Sequence, residues 1–251
     1  MQTNTPAFVF RSRHAGRPGF SLIELLTVIA VIAVLGGILI ATVNRVRDSA
    51  RLSKSQSNLR QVTQTLLIYT MENGGRLPYA KGNRNSSSVP PEEQHDNWII
   101  ELRNAGYNDI ITLRGVGEAP DSVMFCPMAL ACRPHSENAS YNWAMNVYLG
   151  GERLSTIDEP GLVSFMMNSR WVPSYRTWGQ TEVGIPNGGP NRWPDFPYPV
   201  RSMDVNDAPD AGAGDPSACV SFLDGRVELV PRSKFPEDVT QPFWSGTRNE
   251  N

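Results

Sequence analysis

Gly19-Phe20-Ser21-Leu22-Ile23-Glu24, with the apolar run that follows it to Val43, decides how the rest of the chain is placed. Phe20 to Val43 is 24 residues long and Glu24 is its only charged side chain. At about 1.5 Å per residue, a helix of that length crosses a hydrocarbon core of roughly 30 Å. An acid at the centre of a spanning helix costs about 2.5–3.5 kcal/mol, and less toward the interface. A plain anchor has no use for that cost, so Glu24 calls for a partner.

On the N-terminal side, residues 1–19 form a leader with Arg11, Arg13 and Arg17 and no acid. Positive charge stays on the cytoplasmic side of a membrane, which predicts a cytoplasmic N-terminus and an outward-facing chain after Val43. A secretory signal cleaved after the run, near Ala41 or Ala50, is the competing reading. Glu24 interrupts the start of such a signal, and the run exceeds the usual apolar region of about 7–15 residues.

The stretch Gly19-Phe20-Ser21-Leu22-Ile23-Glu24-Leu25-Leu26 resembles the cleavage and methylation signal of type IV pilins and type II secretion pseudopilins. The resemblance implies that a prepilin peptidase cuts after Gly19 and that Phe20 becomes the N-methylated mature N-terminus. It also implies that Glu24, at the fifth mature position, neutralises the N-terminal amine of a neighbouring subunit. The implied fold is α+β and pilin-like: a long N-terminal helix, transmembrane then amphipathic, packed on a loop-rich antiparallel β domain. The implied partners are the peptidase, other pilin or pseudopilin subunits met through the helix, and the inner membrane, crossed once.

Working outward, the helical pattern continues past the polar boundary at Asn44, Arg45, Arg47 and Asp48. Val46, Ala50, Leu59, Val62, Leu66 and Leu67 recur at spacings near three and four, with Arg51, Lys54, Gln56, Arg60 and Gln64 on the other faces. Asn73-Gly74-Gly75 supplies the stop and Pro78 follows. The chain thus divides into a leader (1–19), a transmembrane half-helix (20–43), an amphipathic half-helix (44–73) and an extracytoplasmic α+β domain (74–251). No proline breaks the long helix, and Gly36-Gly37 is its one soft point. Tyr69 to Tyr79 resembles the helix exit of G-type pseudopilin-like proteins of planctomycete and verrucomicrobial bacteria.

Lys81 to Val89 reads as a loop. Pro90-Pro91-Glu92-Glu93 is expected to start a helix that carries His95, Trp98, Ile99 and Leu102 and ends at Gly106. Ser122 to Pro127 is expected as a strand ended by proline, and Leu162 to Asn168 as another. The run Ala218 to Val230 is the strongest hairpin, with Asp224-Gly225 favouring a type I′ turn. The order of motifs from Cys126-Pro127 through Ser140-Tyr141 and Met145-Asn146 also resembles those pseudopilin-like proteins. They often carry a histidine where this chain has Gly214, so no role of that histidine transfers.

Removing the three leader arginines takes the formal charge from −2 to −5. A mildly acidic chain argues against a nucleic-acid partner. With Gly 21, Pro 20 and 19% charged residues, the composition suits a loop-rich extracytoplasmic domain. Arg192 to Val200 reads either as an ordered proline-rich loop or as a recognition surface.

Candidates for chemistry are few. His14 lies in the leader, which leaves His95 and His135, and there is no G-x-S-x-G, H-E-x-x-H or phosphate loop, so no enzymatic activity is expected. Asp204, Asp207, Asp210 and Asp215 crowd one loop, open to a structural calcium such as some pseudopilins hold, or to simple solvation. Their spacing matches no calcium loop, and no metal or other cofactor is expected. Cys126 and Cys132 are a disulfide candidate with Cys219 left free, and pairings with Cys219 stay open. Two functions stand: a pilin-like structural subunit, or a membrane-tethered surface module that binds glycan or protein and uses the same signal for export.

Overall fold

The computed structural model describes residues 21–83, 88, 90–111, 121–132, 142–168, 182–183, 197–198, 215–236 and 241–245. The side chains of Ala41, Cys132, Glu182 and Val183 are not among the described groups. Several expectations therefore lie outside: the Gly19–Phe20 bond, His14, His135, residues 192–196, and Asp204, Asp207 and Asp210. The chain divides into two compact units, Met1–Val46 and Arg47–Asn251.

Helix α1 spans Leu22–Glu72, 51 residues, and contributes to both units. Its end follows the glycines. Gly74 has φ 65°, and the N–H of Gly75 reaches back to the carbonyl of Thr70 at 2.8 Å. That six-residue reach over a left-handed glycine is the Schellman arrangement, and it satisfies a carbonyl that the helix end would leave open.

In the second unit the remaining helices are short: α2 (Trp98–Asn104), α3 (Pro127–Cys132) and α4 (Pro242–Ser245). Five strands, β1 (Trp143–Asn146), β2 (Ser164–Asn168), β3 (Glu182–Val183), β4 (Ser217–Phe222) and β5 (Val227–Pro231), form one sheet in the order β3-β1-β2-β4-β5. The β1–β2, β2–β4 and β4–β5 pairs are antiparallel, whereas β3 runs parallel to β1. The architecture is α+β, as expected, with the one parallel pair as its departure from an all-antiparallel sheet.

The central strands are buried on both faces. On one face Trp143, Met145, Phe165, Met166 and Cys219 pack in a core with Leu59, Val62 and Leu66 of α1, the stripe read from the sequence. On the other face Ala144, Met167, Ala218, Val220 and Phe222 pack with Phe235 and Trp244. Phe165 and Met166 are consecutive yet belong to the same core. A register shift between Ser164 and Met166 allows this, because an irregular pairing breaks the strict alternation of faces. Edge strand β5 is only partly covered, with Glu228 exposed and Val230 buried.

Three local expectations are corrected. Pro91–Glu93 forms a single 3-10 turn, and α2 begins only at Trp98, where Asn97 Oδ1 accepts the N–H groups of Ile99 and Ile100, each at 3.1 Å. A side-chain cap that satisfies two open donors outcompetes the proline start. His95 accordingly lies before the helix, its ring stacked on Tyr79 with centroids 3.5 Å apart. Ser122 to Phe125 is a turn, closed by Phe125 N–H on Ser122 O at 3.1 Å, and Pro127 opens α3 where a strand was expected to end. Proline fits a first helical position because no partner exists there for an N–H.

The third concerns the hairpin. Its loop is Leu223-Asp224-Gly225, closed by Phe222 N–H on Arg226 O and Gly225 N–H on Phe222 O, both at 2.9 Å. Gly225 carries φ 86°. This is a three-residue loop with its glycine in the left-handed region, not the two-residue type I′ turn.

Candidate functional site

Of the residues singled out for processing and assembly, Glu24 is described, and it lies in the first turn of α1. Ser21-Leu22-Ile23-Glu24 has the S-x-x-E pattern of a capping box. The Glu24 carboxylate accepts the backbone N–H of Ser21 at 2.9 Å, and Ser21 O accepts Leu25 N–H at 3.2 Å. Glu24 thus closes the first turn of its own helix. The two threonines of the run are satisfied internally, Thr27 Oγ1 donating to Glu24 O and Thr42 Oγ1 to Leu39 O, each at 2.9 Å. Internal satisfaction is what a hydrocarbon environment demands. The helix stays unbroken through Gly36 and Gly37.

Among the described residues, the apolar side chains of this part are exposed. Leu22 is 79% exposed, Ile32 62% and Ile40 73%, and fourteen large aliphatic residues between Leu22 and Val43 are exposed in the same way. Full burial of one such side chain gains about 1.5–3 kcal/mol, so covering fourteen is worth on the order of 20–40 kcal/mol. Among the described residues, α1 is the one helix long and apolar enough to cross a membrane.

In the second unit α1 and the segment around α2 exchange a matched pair of contacts. Tyr69 of α1 donates to Glu101 Oε2 at 3.2 Å, and Tyr107, beyond α2, donates to Glu72 Oε2 of α1 at 2.5 Å. Burial pushes Glu101 up from 4.5 to about 7, against the opposing pull of the Tyr69 hydroxyl and a Tyr79 backbone bond. Burial, with the nearby Glu101 charge, pushes Tyr69 up to about 12.

Around α3 a buried polar cluster ties three layers together. Ser55 of α1 donates to Arg51 O at 2.7 Å, while its oxygen accepts the Cys126 thiol and the Met128 N–H, each at 3.3 Å. One donor and two acceptor positions are the full capacity of a hydroxyl, and all are used. Asn58 Nδ2 donates to Phe125 O at 2.9 Å, and Cys126 N–H donates to Asn142 Oδ1 at 3.1 Å. Cys219 N–H donates to Asn168 Oδ1 at 2.7 Å. Burial pushes both the Cys126 and the Cys219 thiols up. No local pattern marks Ser55 as the hub, because its role depends on partners more than seventy residues away.

Cys126 is a free, buried thiol, so the Cys126–Cys132 candidate bridge is not formed. The reason is backbone geometry. Leu130 N–H already reaches Cys126 O at 3.0 Å, so Cys126 leads directly into the helical rise of α3, Pro127–Cys132. Six residues of helix hold two Cα atoms about 9 Å apart, beyond the roughly 7 Å that a disulfide spans.

Of the acidic loop, Asp215 is described: both its oxygens bond Ser233, which holds its carboxyl below the usual range. No cluster of three metal-ligating side chains occurs among the described residues. An open groove of about 490 Å³ between α1 and α3 is lined by residues including Arg51, Lys54, Asn58 and Leu130. No family model, no curated protein and no solved structure matches this chain.

Proposed function

We propose that this chain is a pilin-like structural subunit, a pseudopilin, processed after Gly19 by a prepilin peptidase and N-methylated at Phe20. Through its N-terminal helix it assembles into a type II secretion pseudopilus or a type IV pilus-like filament. The inner membrane holds it before assembly, with the N-terminus cytoplasmic and the second unit outward. The observation that carries this reading is the bare apolar helix with one acid in its first turn. A helix of this kind needs a hydrocarbon or helical surround, and the acid needs a cation in that surround. Neighbouring copies supply both: apolar helices for the aliphatic face and an N-terminal amine for Glu24.

The pilin-like arrangement is part of the same proposal. It rests on a 51-residue helix whose second half lays Leu59, Val62 and Leu66 on a small, mostly antiparallel sheet. The test is co-purification of tagged and untagged copies from membranes. Wild-type chains are expected to associate, and Glu24→Ala chains to insert but not associate. Insertion as a processed but solitary protein, for wild type as for the variant, contradicts the proposal and favours a tethered binding module.

A further inference from the structure

We infer that the groove between α1 and α3 holds the headgroup of an anionic membrane phospholipid, with Arg51 and Lys54 on its phosphate. The groove lies wholly within the second unit, where Arg51, Lys54 and Asn58 of α1 line it together with Pro127, Leu130 and Ala131 of α3. Its volume, about 490 Å³, falls in the range of roughly 300–1,000 Å³ that small-molecule sites occupy.

The lining has two parts. Ala50, Pro127, Leu130 and Ala131 give it carbon surface, and Arg51, Lys54 and Asp121 give it charge. Two cations against one carboxylate leave a net +1 among the described lining residues, which the single negative charge of a phosphodiester neutralises. Asp48 bonds Arg51 at 3.1 Å, and Arg47, exposed and one turn before Arg51, offsets that carboxylate. Lys54 is exposed and makes no ion pair among the described residues. A guanidinium fork and a flexible ammonium are the side chains that suit phosphate best.

Position and charge single out a membrane lipid among anions. The groove begins at Ala50, seven residues after Val43 closes the apolar run, and seven residues of chain reach at most about 25 Å. Residues 44–60 carry Arg45, Arg47, Arg51, Lys54 and Arg60 against Asp48, a net +4. Residues 61–251 carry 15 basic and 23 acidic side chains, a net −8. An acidic surface is repelled by an anionic bilayer, so attraction is confined to the segment next to the apolar run. Basic clusters beside a spanning helix attract anionic headgroups, each charge being worth roughly fivefold in affinity.

A lipid meets both parts of the lining, its phosphate on the charges and its glycerol and first methylenes on the carbon surface. A carboxylate from a second copy meets only the charges. The inference rests on the membrane crossing in the reading above, not on processing or filament assembly.

The test uses the full chain in neutral detergent, titrated with phosphatidylglycerol or phosphatidylcholine, with bound lipid counted by native mass spectrometry. One phosphatidylglycerol is expected to stay bound where phosphatidylcholine is lost. Arg51→Gln and Lys54→Gln are each expected to weaken it about fivefold. Arg60→Gln removes an exposed cation of α1 outside the groove and is expected to leave it unchanged. Equal retention of the two lipids, or equal weakening by all three variants, overturns the groove as a lipid site. Retention unchanged in Arg51→Gln and Lys54→Gln overturns it too, and loss of co-purification between copies in those variants assigns the cations to a second copy. A chain recovered without membrane contradicts the crossing and this inference together. A membrane-bound chain that begins at Met1 yet keeps phosphatidylglycerol contradicts the processing and leaves the lipid site standing.

Discussion

The Glu24 carboxylate holds the backbone N–H of Ser21 at 2.9 Å, so the acid that the proposed function pairs with a neighbour's amine already closes the first turn of its own helix. Under the proposed function the two roles follow one another. A capping box satisfies the acid in a lone subunit, and a cation arriving from a second copy offers a stronger, charge-assisted bond.

The roles separate with Glu24→Gln, because glutamine accepts the same N–H but carries no charge. If charge pairing drives assembly, Glu24→Gln fails to associate as fully as Glu24→Ala, while helix content by circular dichroism stays at the wild-type level. Normal association of Glu24→Gln leaves the cap as the sole role of the residue.

Ser55→Ala removes the hydroxyl that serves Arg51 O, the Cys126 thiol and the Met128 N–H in a fully buried position. Unsatisfied buried partners cost about 1–3 kcal/mol. A loss of that size is expected, read as a lower urea midpoint with the slope unchanged. An unaltered midpoint shows that α3 is not held by this hydroxyl.

Glu101 makes stability depend on pH. Its folded value is raised from 4.5 to about 7. Below 4.5 both folded and unfolded chains carry the proton. Between 4.5 and about 7 the folded chain keeps a proton that the unfolded chain has lost, so stability falls as pH rises through that window. Denaturation midpoints across it are expected to drop in the wild type and to drop less in Glu101→Gln. Identical slopes in the two proteins contradict the assignment.

Gly225, at φ 86°, admits a side chain only with strain. Gly225→Ala is expected to cost about 1–2 kcal/mol, the usual penalty for a left-handed residue with a Cβ. Equilibrium unfolding measures it, and no loss means the loop adopts another turn.

Much of this architecture was legible in the sequence because it is local. The α1 stripe at Leu59, Val62 and Leu66, the Asn73-Gly74-Gly75 stop and the run from Ala218 to Val230 each carry their own periodicity or turn chemistry. What was missed depends on distant partners or on competing local signals. The segment from Ser122 to Cys126 has a strand's composition, yet Asn58, Asn142 and Ser55 hold it as a turn before α3. Pro91 offered a helix start, but Asn97 capped a better one. The matched Tyr69–Glu101 and Tyr107–Glu72 contacts join residues 32 and 35 positions apart, a separation that no periodic pattern exposes.

The central claim is that the acid-bearing apolar helix begins, in the mature protein, at Phe20. Mass spectrometry of the intact chain purified from membranes tests it most directly. The account predicts a polypeptide that starts at an N-methylated Phe20, with residues 1–19 gone. A chain that begins at Met1, or anywhere beyond Val43, contradicts it.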